Sequence, residues 1–279
     1  MFSKSYQYVR AFSLDVVAGA AISARWIGNY FEVKLPIEVI IALSITVWLI
    51  YTLDHLLDAR KIQPKKALLR HLLHYNNAPI LFAMVAMMTI VLIFTVQNLP
   101  PEVFWTGLFL GLVVVGYLLF VHAVRKKPYW GKEWFIAIVY ATGICLPTIA
   151  LLGAVPLSLI YFWVLFFLLA SINLLLFNMF EYKTDKAFGF SSFATVKGHD
   201  FTRRVILFLL LAFVVVWAVA FIFIQNDSFL DYQAMFIFMG SVLAMVLSKE
   251  IILREDELYR VIGDVIFVLP VVELIFVRN

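Results

Sequence analysis

The sequence predicts an all-α fold: a polytopic membrane protein whose nine transmembrane helices form a single domain over residues 1–279. Three observations predict it. Hydrophobic residues make up 64% of the chain and charged residues 14%, where soluble domains have roughly half and roughly a quarter. Apolar runs of the ~20 residues that a helix needs to cross a ~30 Å hydrocarbon core recur along the whole chain. Lysine and arginine collect in alternate gaps between those runs, the pattern that membrane topology imposes.

In chain order the spans are expected at about 12–31, 36–57, 78–97, 103–123, 134–153, 157–180, 204–225, 229–248 and 260–277. The first carries Asp15 and Arg25 and the last Asp264 and Glu273, whereas the seven between them are strongly apolar. Short breaks separate them at Gln97 to Pro101, Gly153 to Pro156 and Gln225 to Ser228. The runs must be helical, because hydrocarbon cannot satisfy an open backbone and they are too long for barrel strands. Pro147 and Pro270 are expected to kink their helices, which membrane helices tolerate. With the N-terminus in the cytoplasm, 19 of the 22 Lys and Arg residues fall on that side, leaving Arg25, Lys34 and Arg278 elsewhere. The expected topology follows: N-terminus and the loops of about 54–77 and 181–204 cytoplasmic, C-terminus opposite, in a bacterial inner membrane.

Several classes are excluded. The pI of about 9.1 does not point to nucleic acid, because the basic residues lie between apolar runs. The polar start of the chain lacks a cleavable signal-peptide pattern, and the lone Cys145 leaves no intrachain disulfide to form. The chain has no phosphate-cradling glycine loop, no Cys/His zinc spacing and no Ser-His-Asp order. No gap between spans is long enough for a soluble domain.

Two places break the rule that cytoplasmic helix ends should be basic. Asp54 and Asp58 close the second span, and Glu181 and Asp185 the sixth, each pair four residues apart and so on one helix face. Like charges at that spacing repel, and the helix dipole disfavours anions at a C-terminal end. Near the membrane an ionisable group costs a further ~2.5–3.5 kcal/mol. These terms coincide twice on one membrane face, so an offsetting cation is expected. Carboxylate oxygens suit Mg²⁺, which binds one or two of them together with substrate phosphates. The neighbouring Arg60, Lys61, Lys183 and Lys186 would neutralise a phosphorylated ligand. The structural alternative is a salt bridge between each pair and its own basic neighbours.

Arg70, His74 and Asn77 fall at helical spacing and suit either a grip on a diphosphate or acceptor, or an amphipathic loop helix. Asn173 and Asn178 suit either the site or interhelical hydrogen bonds. Asp264 reads as a cap near Arg260, and the mixed-sign run Arg254 to Arg260 as a solvated turn.

These segments resemble the UbiA superfamily of intramembrane prenyltransferases, over nearly the whole chain. Members have two acid-rich motifs, after the second and sixth helices, that hold Mg²⁺ and a prenyl diphosphate. The second motif of the family is an acid, another acid four on, glycine four further, then Thr and a later Gly. Here it reads Glu181, Asp185, Gly189, Ser192 and Gly198 at the same intervals. The first motif runs Asn-Asp, then Asp three later and Asp four later. Asp54 and Asp58 fill its last two places, with Ile50 and Tyr51 where Asn and the leading Asp belong.

The resemblance implies prenyl transfer from a prenyl diphosphate to an apolar, aromatic or quinone-like acceptor, with Mg²⁺ as cofactor. Asp54, Asp58, Glu181 and Asp185 would be the catalytic metal ligands. Tyr51, Arg60, Lys61, Arg70, His74, Asn178, Lys183, Lys186 and Ser192 are the candidate substrate-binding residues. An allylic cation would lie among aromatic side chains, where cation–π contact contributes about 0.5–2 kcal/mol. Two other readings stand beside this one: a non-catalytic UbiA-like protein that binds a lipid diphosphate or a partner, and a cation-coupled transporter. The helix-end position of the pairs counts against the transporter, whose sites lie near the midplane.

Overall fold

The computed structural model describes residues 12–59, 77–123, 131–224, 227–253 and 257–276, and all regular elements among them are helical. The long helices are α1 (Leu14–Tyr30), α2 (Ile37–Ala59), α3 (Ala78–Val96), α4 (Pro101–Ala123), α5 (Lys132–Leu152) and α6 (Leu157–Phe180). Two short helices, α7 (Tyr182–Phe188) and α8 (Phe193–Lys197), carry the second acidic motif. They lead into α9 (His199–Phe223), α10 (Asp227–Ser248) and the short α11 (Glu250–Leu253). The chain ends in α12 (Leu258–Val265), a 3₁₀ turn (Ile266–Val268) and α13 (Val271–Phe276).

Among the described residues seven helices are long and apolar enough to cross a membrane, against the nine expected. The two shortfalls are the first and last spans. α1 has 17 residues, about 26 Å at 1.5 Å per residue and short of a full hydrocarbon core. The last span is not one helix. Its hydrogen-bonding tightens to 3₁₀ at Ile266–Val268 and the next helix starts only at Val271, immediately after Pro270, which has no N–H to carry a helix through. Pro147, by contrast, lies inside α5 without ending it.

α6 is the hub. In its most apolar stretch 72% of the residues are buried, against 6% for α3 and 11% for α4. α6 packs on α5, α9, α10 and α12, while α1 packs on α2, α5 and the 3₁₀ turn. The outward faces of α3 and α4, with Phe94 and Phe109 largely exposed, have the apolar surface that lipid requires.

At the end of the bundle away from the acidic motifs, Trp26 of α1 is fully buried among Phe162, Phe166, Tyr232 and Phe236. Its indole N–H donates to Glu273 Oε2 of α13 at 2.8 Å, which fixes the chain's last segment against its first helix. At the motif end α12 comes very close to α6 at Gly263. A Cβ there would lie 2.1 Å from Asn173 Oδ1 and 2.8 Å from the Phe177 ring. Gly263→Ala is therefore expected to push α12 off α6 and to cost about 1–3 kcal/mol by overpacking. A lowered melting temperature in detergent checks this.

Candidate active site

The second acidic motif is built by a sharp change of direction at the end of α6. Glu181 caps α6 and opens α7, and the Asp185 N–H donates to the Glu181 carbonyl at 2.8 Å. Gly189 ends α7 with φ at 69°, a left-handed conformation that disfavours side chains. That turn lets the Phe190 N–H fold back to the Asp185 carbonyl at 2.8 Å. The motif's spacing of two acids and a glycine is thus about two helical turns closed by a left-handed cap. Ser192, read above as a substrate contact, is buried and caps α8: its hydroxyl accepts from the Thr195 N–H, and Thr195 Oγ1 accepts from the Ser192 N–H.

The sequence reading missed the residue that holds this loop in place. Glu133, in the first turn of α5, is 2% exposed and accepts from the Phe193 N–H at 3.0 Å. A carboxylate at the N-terminus of α8 also meets the positive end of that helix.

Glu181 is the centre of the motif. Its Oε1 accepts from the Tyr259 hydroxyl at 2.9 Å and from Arg260 through both Nε and Nη2. The two side chains are only 11% and 15% exposed, and the guanidinium lies over the Phe177 ring, 5.0 Å from its centroid. Residues 259 and 260 were expected in a solvated turn. Instead they enter the bundle at the start of α12 and pair with an acid 78 and 79 positions away. The signal for this was slight: an arginine one turn before Asp264 at the head of an apolar run.

The first motif lies on the last turns of α2. Asp54 is half-buried there, and the side chain of Asp58 lies outside the described residues, as do Arg60, Lys61, Arg70 and His74. Tyr51, where the family motif has its leading acid, lies within the reach of three negative charges: Asp264 of α12, Asp54 of its own helix and Asp15 of α1. Asp264 of α12 lies near both Tyr51 and Arg260. Tyr117 of α4 makes a second link, stacked on Phe135 with centroids 3.7 Å apart and within reach of both Asp54 and Glu133.

Two groups lie near members of both motif regions: Asp264 near Tyr51 and Arg260, and Tyr117 near Asp54 and Glu133. Of the remaining candidates, Asn178 donates back to the Leu174 carbonyl at 2.8 Å. Lys183 and Lys186 are exposed, Lys186 leaning on Tyr182. His199, at the head of α9, bridges Asp200 at 3.3 Å and Glu250 at 2.9 Å and so ties the motif loop to α11.

A divalent cation fits part of this donor set. Asp54 and Asp185 offer hard carboxylate oxygens at half-buried helix ends, the chemistry that Mg²⁺ takes. Glu181 differs from them, because a guanidinium already neutralises it. Among the described residues no three His, Cys, Asp or Glu side chains are grouped closely enough to hold an ion by themselves, so phosphate oxygens and Asp58 would have to complete its shell.

The fold and site define a helical integral membrane protein with paired acids at the ends of its second and sixth long helices. The profile of the UbiA prenyltransferase family matches residues 16–251, and the chain belongs to that family. No curated protein and no solved structure matches the chain.

Proposed function

We propose that the protein is an intramembrane prenyltransferase that moves a prenyl group from its diphosphate to an apolar, aromatic or quinone-like acceptor. The family match over residues 16–251 carries this reading, and the paired acids at the ends of α2 and α6 support it. In the proposed topology α1 and the broken last helix complete nine crossings. The N-terminus and both motifs face the cytoplasm, which suits a soluble diphosphate leaving group. Asp54, Asp58 and Asp185 would hold Mg²⁺, which supplies positive charge to the departing diphosphate. Tyr51, Asn178 and the basic side chains Arg60, Lys61, Arg70, His74, Lys183 and Lys186 remain the proposed contacts to substrate. The apolar interior beside α6 would receive the prenyl chain.

The test is direct. Purified protein given Mg²⁺, a prenyl diphosphate and a panel of aromatic acceptors is expected to release diphosphate, and Asp54→Ala to abolish the release. One observation favours a second reading, a non-catalytic binder of lipid diphosphates: Tyr51 takes the place of an acid. That reading expects metal-dependent diphosphate binding with no turnover in any acceptor series.

A further inference from the structure

We propose that Arg260 is the resident cation of the second acidic motif, seated on Glu181 in place of a metal ion and receiving the diphosphate on that side of the site. The inference rests on the prenyltransferase reading and departs from it at one residue, since Glu181 becomes the anchor of an arginine rather than a metal ligand.

Geometry carries it. Arg260 gives Nε and Nη2 to the same Glu181 oxygen, and Tyr259 adds a third donor to that atom. An oxygen with three donors on it has little left to offer an ion, and a guanidinium within bonding distance repels one. A guanidinium has five N–H donors in a planar fork, so the bonds to Glu181 leave others for phosphate oxygens. Phe177 beneath the guanidinium and the tight Gly263 contact behind it hold the group in a fixed pose. Asp264, one turn on, lies near both Arg260 and Tyr51 of the first motif's helix.

Charge balance agrees. Tyr51 removes one negative charge from the first motif, and Arg260 adds one positive charge at the second. Both changes lower the number of divalent ions that the site needs to neutralise a diphosphate.

The experiment uses the full chain in detergent with Mn²⁺ and inorganic pyrophosphate as probes. Mn²⁺ stoichiometry is read by electron paramagnetic resonance and pyrophosphate affinity by calorimetry. Glu181→Gln is expected to keep the wild-type number of Mn²⁺ ions. Arg260→Met is expected to weaken pyrophosphate binding at least tenfold, and Arg260→Lys to fall between it and the wild type. The double variant Glu181→Gln/Arg260→Met, which removes both members of the Glu181–Arg260 pair, guards against misfolding and should show the same tenfold loss. Loss of an Mn²⁺ ion in Glu181→Gln, or wild-type pyrophosphate affinity in the double variant, overturns the inference and leaves the enzyme reading intact. A wild-type protein that binds no pyrophosphate with Mn²⁺ present overturns both.

Discussion

Arg260→Met is expected to destabilise the folded protein by about 3–5 kcal/mol, the cost of stripping a buried acid of the arginine paired with it. The environment sets the magnitude. Both side chains are more than four-fifths buried, so water cannot take over the lost interaction as it does for surface pairs. Tyr259 still donates to Glu181 in the variant and trims the loss. Methionine keeps contact with Phe177, so the packing contribution is small and the measurement isolates charge. Removing both partners should cost far less. Glu181→Gln/Arg260→Met is expected within about 1 kcal/mol of the wild type, because a buried ion pair and its neutral replacement are often near equal in free energy. The double-mutant cycle, read from melting in one detergent, then gives a coupling of several kcal/mol. A single variant that melts with the wild type would mean that Glu181 is neutral or that α12 does not hold this pose.

The parts of the fold that follow from local patterning were legible in the sequence. The long spans are bounded by the apolar runs, and the second motif's two acids and glycine translate directly into two helical turns with a left-handed cap. The last span shows the limit of such reading. Residues 260–277 have the composition of one membrane helix, but Pro270 interrupts the hydrogen-bonding and the segment splits around a 3₁₀ turn.

The misses in the site have one physical cause. Arg260 and Glu133 each act on a partner 60 or more positions away, and neither spacing nor hydropathy reports a long-range partner. A charged residue at the head of an apolar run reads as an ordinary membrane-interface charge unless the acid it meets is already known. Ser192 shows the same ambiguity from the other side: its place in a family pattern suggests a ligand contact, and its hydroxyl caps a short helix. Capping and binding use the same hydrogen-bonding chemistry, and residue type alone does not separate them.

Asp185→Asn should lower diphosphate release at least a hundredfold while leaving the melting temperature nearly unchanged. The structure separates these two effects. Asp185 is positioned through its backbone, which donates to the Glu181 carbonyl and accepts from Phe190, so an isosteric asparagine leaves the turn intact. What disappears is one negative charge at a half-buried helix end. In the proposed reaction that charge helps hold the cation that stabilises the leaving diphosphate, and removing one preorganised electrostatic contact of this kind typically costs about 10²–10³ in rate. Lys197, at the end of α8 in the same motif loop, is exposed; Lys197→Gln tests whether any charge change in this loop has the same effect and is expected to alter release by less than about threefold, since exposed charges contribute little. The ratio between the two variants is the informative quantity. A wild-type rate in Asp185→Asn would mean that α7 serves only to connect α6 to α9, and that the diphosphate, if bound, is held from α2.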